Sequence, residues 1–289
     1  MGLPELPEVE TVARGLRARI VGGRITDVEV FDSRLGGLHG AGSPAGRTVT
    51  GVRRRGKYLA IELAPSGILL LHMMMSGRIL VRRAGDEPDP YLRLRLRLDG
   101  GIELRFCDPR RFGTARLLDR RQWRVFLRGM GPEPMSAGFT AAKLSQRIAG
   151  RKAPIKAVLL DQGTLAGVGN IYADEALWRA RIHPAKRAGD LSGRETAALH
   201  RGIRKVLRQA IEARGTTFSR FADAEGYSGE NQANLKVFRR TGLPCLRCGT
   251  PIERTIVAGR SNHFCPRCQA QEGSSGGASG ATRRVRSPR

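Results

Sequence analysis

The sequence predicts an α+β protein of more than one domain, and three observations carry that expectation. Short apolar runs with strand-like alternation fill the first half, helical spacing takes over in the second, and two Cys-x-x-Cys pairs lie near the C-terminus. At 289 residues the chain is long enough for about two domains, each with a buried core.

The elements follow in order. Val9, Val12, Leu16 and Ile20 recur at helical spacing, so a helix over Glu8 to Ile20 follows Pro7 directly. The segments Ile25–Val30, Tyr58–Leu63, Ile68–Met74, Tyr91–Leu98 and Ile102–Phe106 read as strands, several of them separated by Gly, Pro or Asp clusters. Leucine and arginine alternate strictly from Leu92 to Leu98, which puts the leucines on one sheet face and Arg93, Arg95 and Arg97 on the other; a solvated face is favoured over a track for DNA. After Gly131-Pro132-Glu133-Pro134 the pattern turns helical, with a domain boundary expected near residue 135. Ser192-x-x-Glu195 is a capping box, and Leu199, Ile203, Val206, Leu207 and Ile211 form the buried stripe of the long helix behind it. The final stretch, EGSSGGASGATRRVRSPR, has the composition of a disordered basic tail.

Charge narrows the class of partner. The 51 Lys and Arg against 26 Asp and Glu leave a net charge of +25, an excess that favours a polyanion through steering and counterion release. Nucleic acid is preferred over an anionic membrane surface, because no basic amphipathic helix with an aromatic apolar face is evident. The longest apolar runs fall short of a membrane span and the N-terminus lacks an export pattern, so a cytoplasmic protein is expected.

Four of the five cysteines, Cys245, Cys248, Cys265 and Cys268, form two pairs with sixteen residues between them. Two such turns suit a tetrahedral four-thiolate zinc site, structural because no coordination position stays open. A redox pair or two disulfides is the weaker reading, since neither pair has a thioredoxin-like setting. The segment between the pairs is expected to form a hairpin whose tip, Ala258-Gly259-Arg260, presents Arg260. Cys107 is read as core.

Two further stretches draw attention. Gly167-Val168-Gly169-Asn170 precedes a helical pattern, joined by a long turn to a helix over Ile155–Leu160; Asn170 at the helix start would leave free backbone N–H groups facing a phosphate. Asp108-Pro109-Arg110-Arg111-Phe112-Gly113 makes a loop in which an exposed Phe can act as a wedge in a base stack and the Arg as a donor to an orphaned base; the bland alternative is a buried Phe beside a surface Arg.

Together, the segments PELPEVE, RGKYL, HMMMSG, DPRRFG, IKAVLLDQ, GVGNIYADE and the Cys-x-x-Cys pairs occur in an order that resembles the formamidopyrimidine-DNA glycosylases, over roughly residues 4 to 269. The resemblance implies an N-terminal β-sandwich catalytic domain with a flanking helix (1–134), a helix-two-turn-helix DNA-binding domain (135–235), a four-cysteine zinc finger (236–270) and the tail (271–289). It also implies a bifunctional base-excision enzyme that acts on double-stranded DNA containing oxidised bases or abasic sites, as a monomer holding one structural zinc. By position, Pro4 resembles the nucleophile at C1′ and Glu5 the neighbouring proton carrier, with a Schiff base leading to β- and then δ-elimination. Lys57, Asn170 and Arg260 match the phosphate clamp, Lys57 and Arg260 also serving as proton donors. Met75, Arg111 and Phe112 match the residues that fill the gap behind a flipped nucleotide. Arg151 matches another DNA contact, and Lys156 lies on the first helix of the helical module. The opening PELPEVET resembles the branch acting on oxidised purines. Two departures stand out: Pro90 or Tyr91 occupies the place of a DNA-contacting histidine, and Glu225–Gln232 lacks the more aromatic form of the lesion-capping region.

The family's proline follows the initiator methionine, whereas here Met1-Gly2-Leu3 intervenes. Initiation at Leu3 through an alternative codon, followed by clipping, would expose the Pro4 nitrogen. With those residues retained, the alternative is a non-catalytic protein that binds damaged DNA.

Overall fold

The computed structural model describes residues 3–35, 38, 43–218 and 221–271, so Met1, Gly2 and nearly all of the expected tail lie outside the described residues. The order of elements is α1 (Leu6–Ile20), β1 (Ile25–Val30), β2 (Thr48–Arg55), β3 (Tyr58–Ala64), β4 (Ile68–His72), β5 (Arg78–Arg83), β6 (Leu92–Leu98), β7 (Ile102–Cys107) and β8 (Thr114–Leu118), followed by α2 (Arg120–Arg128), α3 (Ala141–Ile148), α4 (Ile155–Leu160), α5 (Asn170–Ala180), α6 (Gly193–Glu212), β9 (Glu253–Val257) and β10 (Arg260–Phe264).

Two four-stranded antiparallel sheets, ordered β1-β6-β7-β5 and β2-β3-β4-β8, enclose one core. Val52, Ile61 and Leu71 enter it from one sheet, Val81, Leu96 and Phe106 from the other, and Val9, Val12, Leu16 and Ile20 of α1 pack against it. The Leu/Arg alternation of β6 does what its period demands: Leu94, Leu96 and Leu98 are buried. The arginines opposite form ion pairs, Arg95 with Glu29 and Arg97 with Asp27 and Glu29. The expected solvated face is thus half-buried and charge-neutralised by β1.

The second core belongs to the helices. Leu144, Ile155, Leu159, Tyr172, Leu177, Leu199, Ile203 and Leu207 share it, and Leu6 from the start of α1 reaches into it. The capping box at Ser192 forms as expected, with Glu195 N–H donating to Ser192 Oγ at 3.2 Å and Ser192 N–H to Glu195 Oε2 at 2.8 Å. In the other direction, Ala224 of the second half packs into the sheet core. The two halves therefore meet along α1, where Leu6 enters the helical core and Ala224 packs beside Gly15.

β9 and β10 pair as a two-stranded hairpin whose turn, Ala258-Gly259, has both residues at positive φ (49° and 72°). The hairpin is tied to the helices by a buried ion pair: Lys156 Nζ lies 2.5 Å from Asp174 Oδ1 and donates to the Ser261 carbonyl at 2.6 Å, while His263 N–H donates to Asp174 Oδ2 at 3.0 Å. A buried charge without its partner is costly, so this pair specifies where the hairpin sits.

Candidate active site and DNA interface

Pro4 is buried and lines an open cleft, together with Leu3, Met75, Ile171 and Phe218. Glu5 follows it directly, only 2% exposed. Its carboxylate sits on the N-terminus of α5, accepting from Gly169 N–H at 2.8 Å and Ile171 N–H at 2.9 Å. This corrects the expectation that the first turn of α5 keeps its N–H groups open for phosphate: those of Ile171 and, at 3.4 Å, Tyr172 are taken by Glu5, 166 and 167 residues earlier in the chain. A Cβ on Gly169 would stand 2.4 Å from Glu5 Cδ and 2.6 Å from Lys57 Nζ, so only glycine admits both side chains here.

Burial raises the Glu5 pKa to about 7, against the lowering influence of Lys57 and of the backbone donors. Lys57 answers in kind: burial lowers its pKa, while Glu5 and Glu8 pull the other way. Lys57 rides on the tight turn between β2 and β3, which Glu133 holds by accepting from Gly56 N–H at 2.6 Å, Arg54 at 2.6 Å and Arg55 at 2.9 Å. Arg54 and Arg55, which look like a basic patch in sequence, are thus used to seat Lys57.

Beneath Glu5 lies a network that sequence reasoning missed. Glu8 accepts from Glu5 N–H at 2.8 Å, from Tyr172 Oη at 2.5 Å and from Thr216 N–H at 2.7 Å. Burial raises the pKa of Glu8, and that of Tyr172 goes well above its usual value. Helical spacing alone placed Glu8 on α1, and no local signal pointed to partners more than 160 residues away.

The DNA-facing candidates spread over four elements. Asn170 donates from Nδ2 to Ser261 Oγ at 3.3 Å, bringing the start of α5 to the hairpin; its buried Oδ1 has no partner among the described residues. Arg260 is exposed at the hairpin tip and close enough to Lys57 to lower its pKa. The structure therefore brings Glu5, Lys57, Asn170 and Arg260 to one neighbourhood. Arg151 stands apart, half-exposed before α4, donating to Thr164 Oγ1 at 3.2 Å. Phe112 is 46% exposed, against the bland reading of a buried ring, with the Arg110 guanidinium 4.7 Å from its centre.

One buried carboxylate joins the loops of Met75 and of Arg111 and Phe112. Asp108 accepts from Ser76 Oγ at 2.5 Å, Arg110 N–H at 3.2 Å and Gly113 N–H at 2.7 Å, thereby linking the turn of Met75 to the loop of Arg111 and Phe112. Tyr91, which with Pro90 lies where the resemblance places a histidine, is 56% exposed with φ +62°.

The four Sγ atoms of Cys245, Cys248, Cys265 and Cys268 lie within 4.8 Å of one another, and none forms a disulfide. A tetrahedral zinc–thiolate centre with bonds of about 2.3 Å sets its sulfurs about 3.8 Å apart. Donor set and spacing fit one structural zinc ion. Trp178 Nε1 donates to Cys245 Sγ at 3.4 Å, so the site is also tied to α5.

Three family models match the chain: the formamidopyrimidine-DNA glycosylase N-terminal domain over residues 3–115, the H2TH domain of the same enzymes over 130–222, and the zinc finger found in FPG and IleRS over 242–271. The formamidopyrimidine-DNA glycosylase of Herpetosiphon aurantiacus is 47% identical over 274 residues, 93% of this chain and 100% of the relative. That of a Roseiflexus strain is 46% identical, covering 92% of this chain and 100% of the relative. Among solved structures, a Lactococcus lactis FPG mutant in complex with Fapy-dG-containing DNA superposes with a TM-score of 0.86 at 36% identity, covering 93% of this chain and 100% of that one. The Lactococcus lactis Fpg in complex with abasic-site DNA gives a TM-score of 0.86 at 36% identity, over 92% of this chain and 100% of that one. No helix among the described residues is long and apolar enough to cross a membrane.

Proposed function

The chain belongs to the formamidopyrimidine-DNA glycosylase family, a zinc-finger DNA glycosylase of base-excision repair, and from that premise we propose that it removes oxidised purines, 8-oxoguanine and formamidopyrimidines, and then cuts the strand as a lyase. The observation that carries the reading is Glu5: a carboxyl raised to about 7, next in sequence to a proline that lines the cleft, beside a partly desolvated lysine.

In this reading the Pro4 nitrogen, free as a secondary amine once residues 1–3 are absent, forms a bond to C1′ while the glycosidic bond breaks and the base departs with a proton. The sugar ring opens to a Schiff base between Pro4 and C1′. Loss of the C2′ proton then breaks the C3′–O bond (β-elimination), loss of the C4′ proton breaks the C5′–O bond (δ-elimination), and water releases the sugar fragment. Glu5, near half-protonation at neutral pH, gives and takes protons in turn. Lys57, Asn170 and Arg260 hold phosphates, Arg151 adds a contact outside the cleft, and Met75, Arg111 and Phe112 fill the gap left by the flipped nucleotide. The zinc supplies no chemistry; the cysteines use it to fix the hairpin that bears Arg260. The enzyme acts as a monomer.

A duplex carrying one 8-oxoguanine tests the reading. Release of free 8-oxoguanine, with both new strand ends phosphorylated, is expected. A gel shift without base release would leave the non-catalytic alternative, which no observation at the site favours.

A further inference from the structure

The Arg111 loop contains a contact that the reaction scheme does not use. Both of the described hydrogen bonds of Arg111 go to one carboxylate, Asp32, 79 residues earlier: Nε donates to Oδ2 at 2.5 Å and Nη2 to Oδ1 at 2.6 Å. Asp32 is itself 2% exposed and accepts from Arg34 N–H at 3.1 Å, with Arg93 Nε 4.0 Å from Oδ2. Asp32 is thus also held by its own backbone turn. Arg111 also has a left-handed backbone, φ +58°, a conformation that costs a non-glycine residue and persists only where the surroundings dictate it.

A guanidinium is a planar fork of five N–H donors. Gripped along its Nε–Nη2 edge, it keeps the hydrogens of Nη1 and the second hydrogen of Nη2 in one plane and one orientation. The Arg111 side chain remains 37% exposed, so part of that fork stays accessible.

We propose that Asp32 is a positioning residue that holds the Arg111 guanidinium so that its outer pair of donors reads the unpaired base left in the intact strand. The inference rests on the reading that Arg111 enters the gap. Two fixed, adjacent donors need two adjacent acceptors. On its Watson–Crick edge cytosine offers N3 beside O2, whereas thymine puts an N–H between its carbonyls, and adenine and guanine each place a donor next to the acceptor. Orientation by Asp32 thus becomes a preference for lesions opposite cytosine, because the other bases leave a donor facing a donor.

The test is Asp32→Asn in the full chain, which keeps the shape of the side chain and an acceptor for Arg34 N–H. Single-turnover excision of 8-oxoguanine is measured opposite cytosine, opposite thymine and opposite a site lacking a base. The cytosine-to-thymine rate ratio should fall about five- to tenfold, the lower range for one two-donor contact, while excision opposite the missing base is unchanged. Each ratio is taken within one preparation, so loss of folded protein cancels. An unchanged ratio, or an equal fall on all three duplexes, overturns the proposal. Arg111→Ala separates the two levels. A ratio that collapses in Arg111→Ala but not in Asp32→Asn overturns the bracing role alone, and a ratio unmoved by either overturns the gap-filling reading as well.

Discussion

Glu5 and Asp32 are each 2% exposed, yet their carboxyl groups move in opposite directions, Glu5 up to about 7 and Asp32 down to about 2. Glu5 accepts two short hydrogen bonds from backbone N–H groups and feels Lys57 without a direct pair to it, so the cost of burying a charge prevails. Asp32 meets a guanidinium edge-on through two charge-assisted bonds, and the pair prevails over burial. Similar surface exposure thus hides a difference in depth: Glu5 lies deep in the protein, where desolvation makes it a proton carrier, and Asp32 lies near the surface under its arginine partner, where pairing makes it a permanent counter-charge. Depth and partner together decide which.

The largest effect should come from removing the carrier. Glu5→Gln is expected to slow base excision by about 10²- to 10⁴-fold, the usual weight of general acid–base catalysis. It should also erase the limb near pH 7 from the pH–rate profile, which single-turnover assays from pH 5 to 9 would reveal. A limb that survives in Glu5→Gln would assign it to another group.

Next in size is the loss of the metal. Chelation, or Cys265→Ser, should release the hairpin and with it Arg260, so that most DNA affinity disappears while the sheet core stays folded. Fluorescence anisotropy with labelled duplex, read beside circular dichroism, measures both. Retained affinity would show that the hairpin is dispensable to the clamp.

A subtler change isolates the influence of Lys57 on Glu5. Lys57 holds the Glu5 pKa down against burial, so Lys57→Met should move the remaining limb of the pH–rate profile above 7. A limb displaced toward lower pH would contradict the assigned electrostatics.

The smallest expected effect is on stability, where the two carboxylates pull oppositely. Glu5 binds its proton more tightly folded than unfolded, so its contribution is complete below about 4.5 and is lost as pH rises through about 7. Asp32 is the reverse: its contribution is present above the ordinary value of 3.8 and is lost as pH falls through about 2. Urea unfolding at pH 5 and pH 8 should show a smaller difference for Glu5→Gln than for the parent chain. An equal difference would mean that Glu5 is not desolvated in solution.

Much of this arrangement was legible in the sequence. Leu/Arg alternation gave β6, the capping box gave α6, and the spacing of the cysteines gave a four-sulfur cluster with a hairpin between the pairs. What escaped was set by distance along the chain. β2, β5 and β8 went unmarked because their apolar runs are short and bordered or broken by arginines, and pairing in the sheet overrides that local composition. Nothing near the basic triplet Arg53–Arg55 announces Glu133, some 78 residues on, which holds two of its members. Likewise nothing near Asp32 announces Arg111, nor anything near Glu8 the hydroxyl of Tyr172.

The central claim is that the Pro4 nitrogen forms a bond to the damaged sugar. Borohydride reduction during the reaction with an 8-oxoguanine duplex, followed by proteolysis and mass spectrometry of the cross-linked peptide, examines it most directly. We expect a peptide that begins at Pro4 and carries the sugar fragment on its nitrogen. An adduct on Lys57, or a chain that excises the base while residues 1–3 still acylate Pro4, would contradict it.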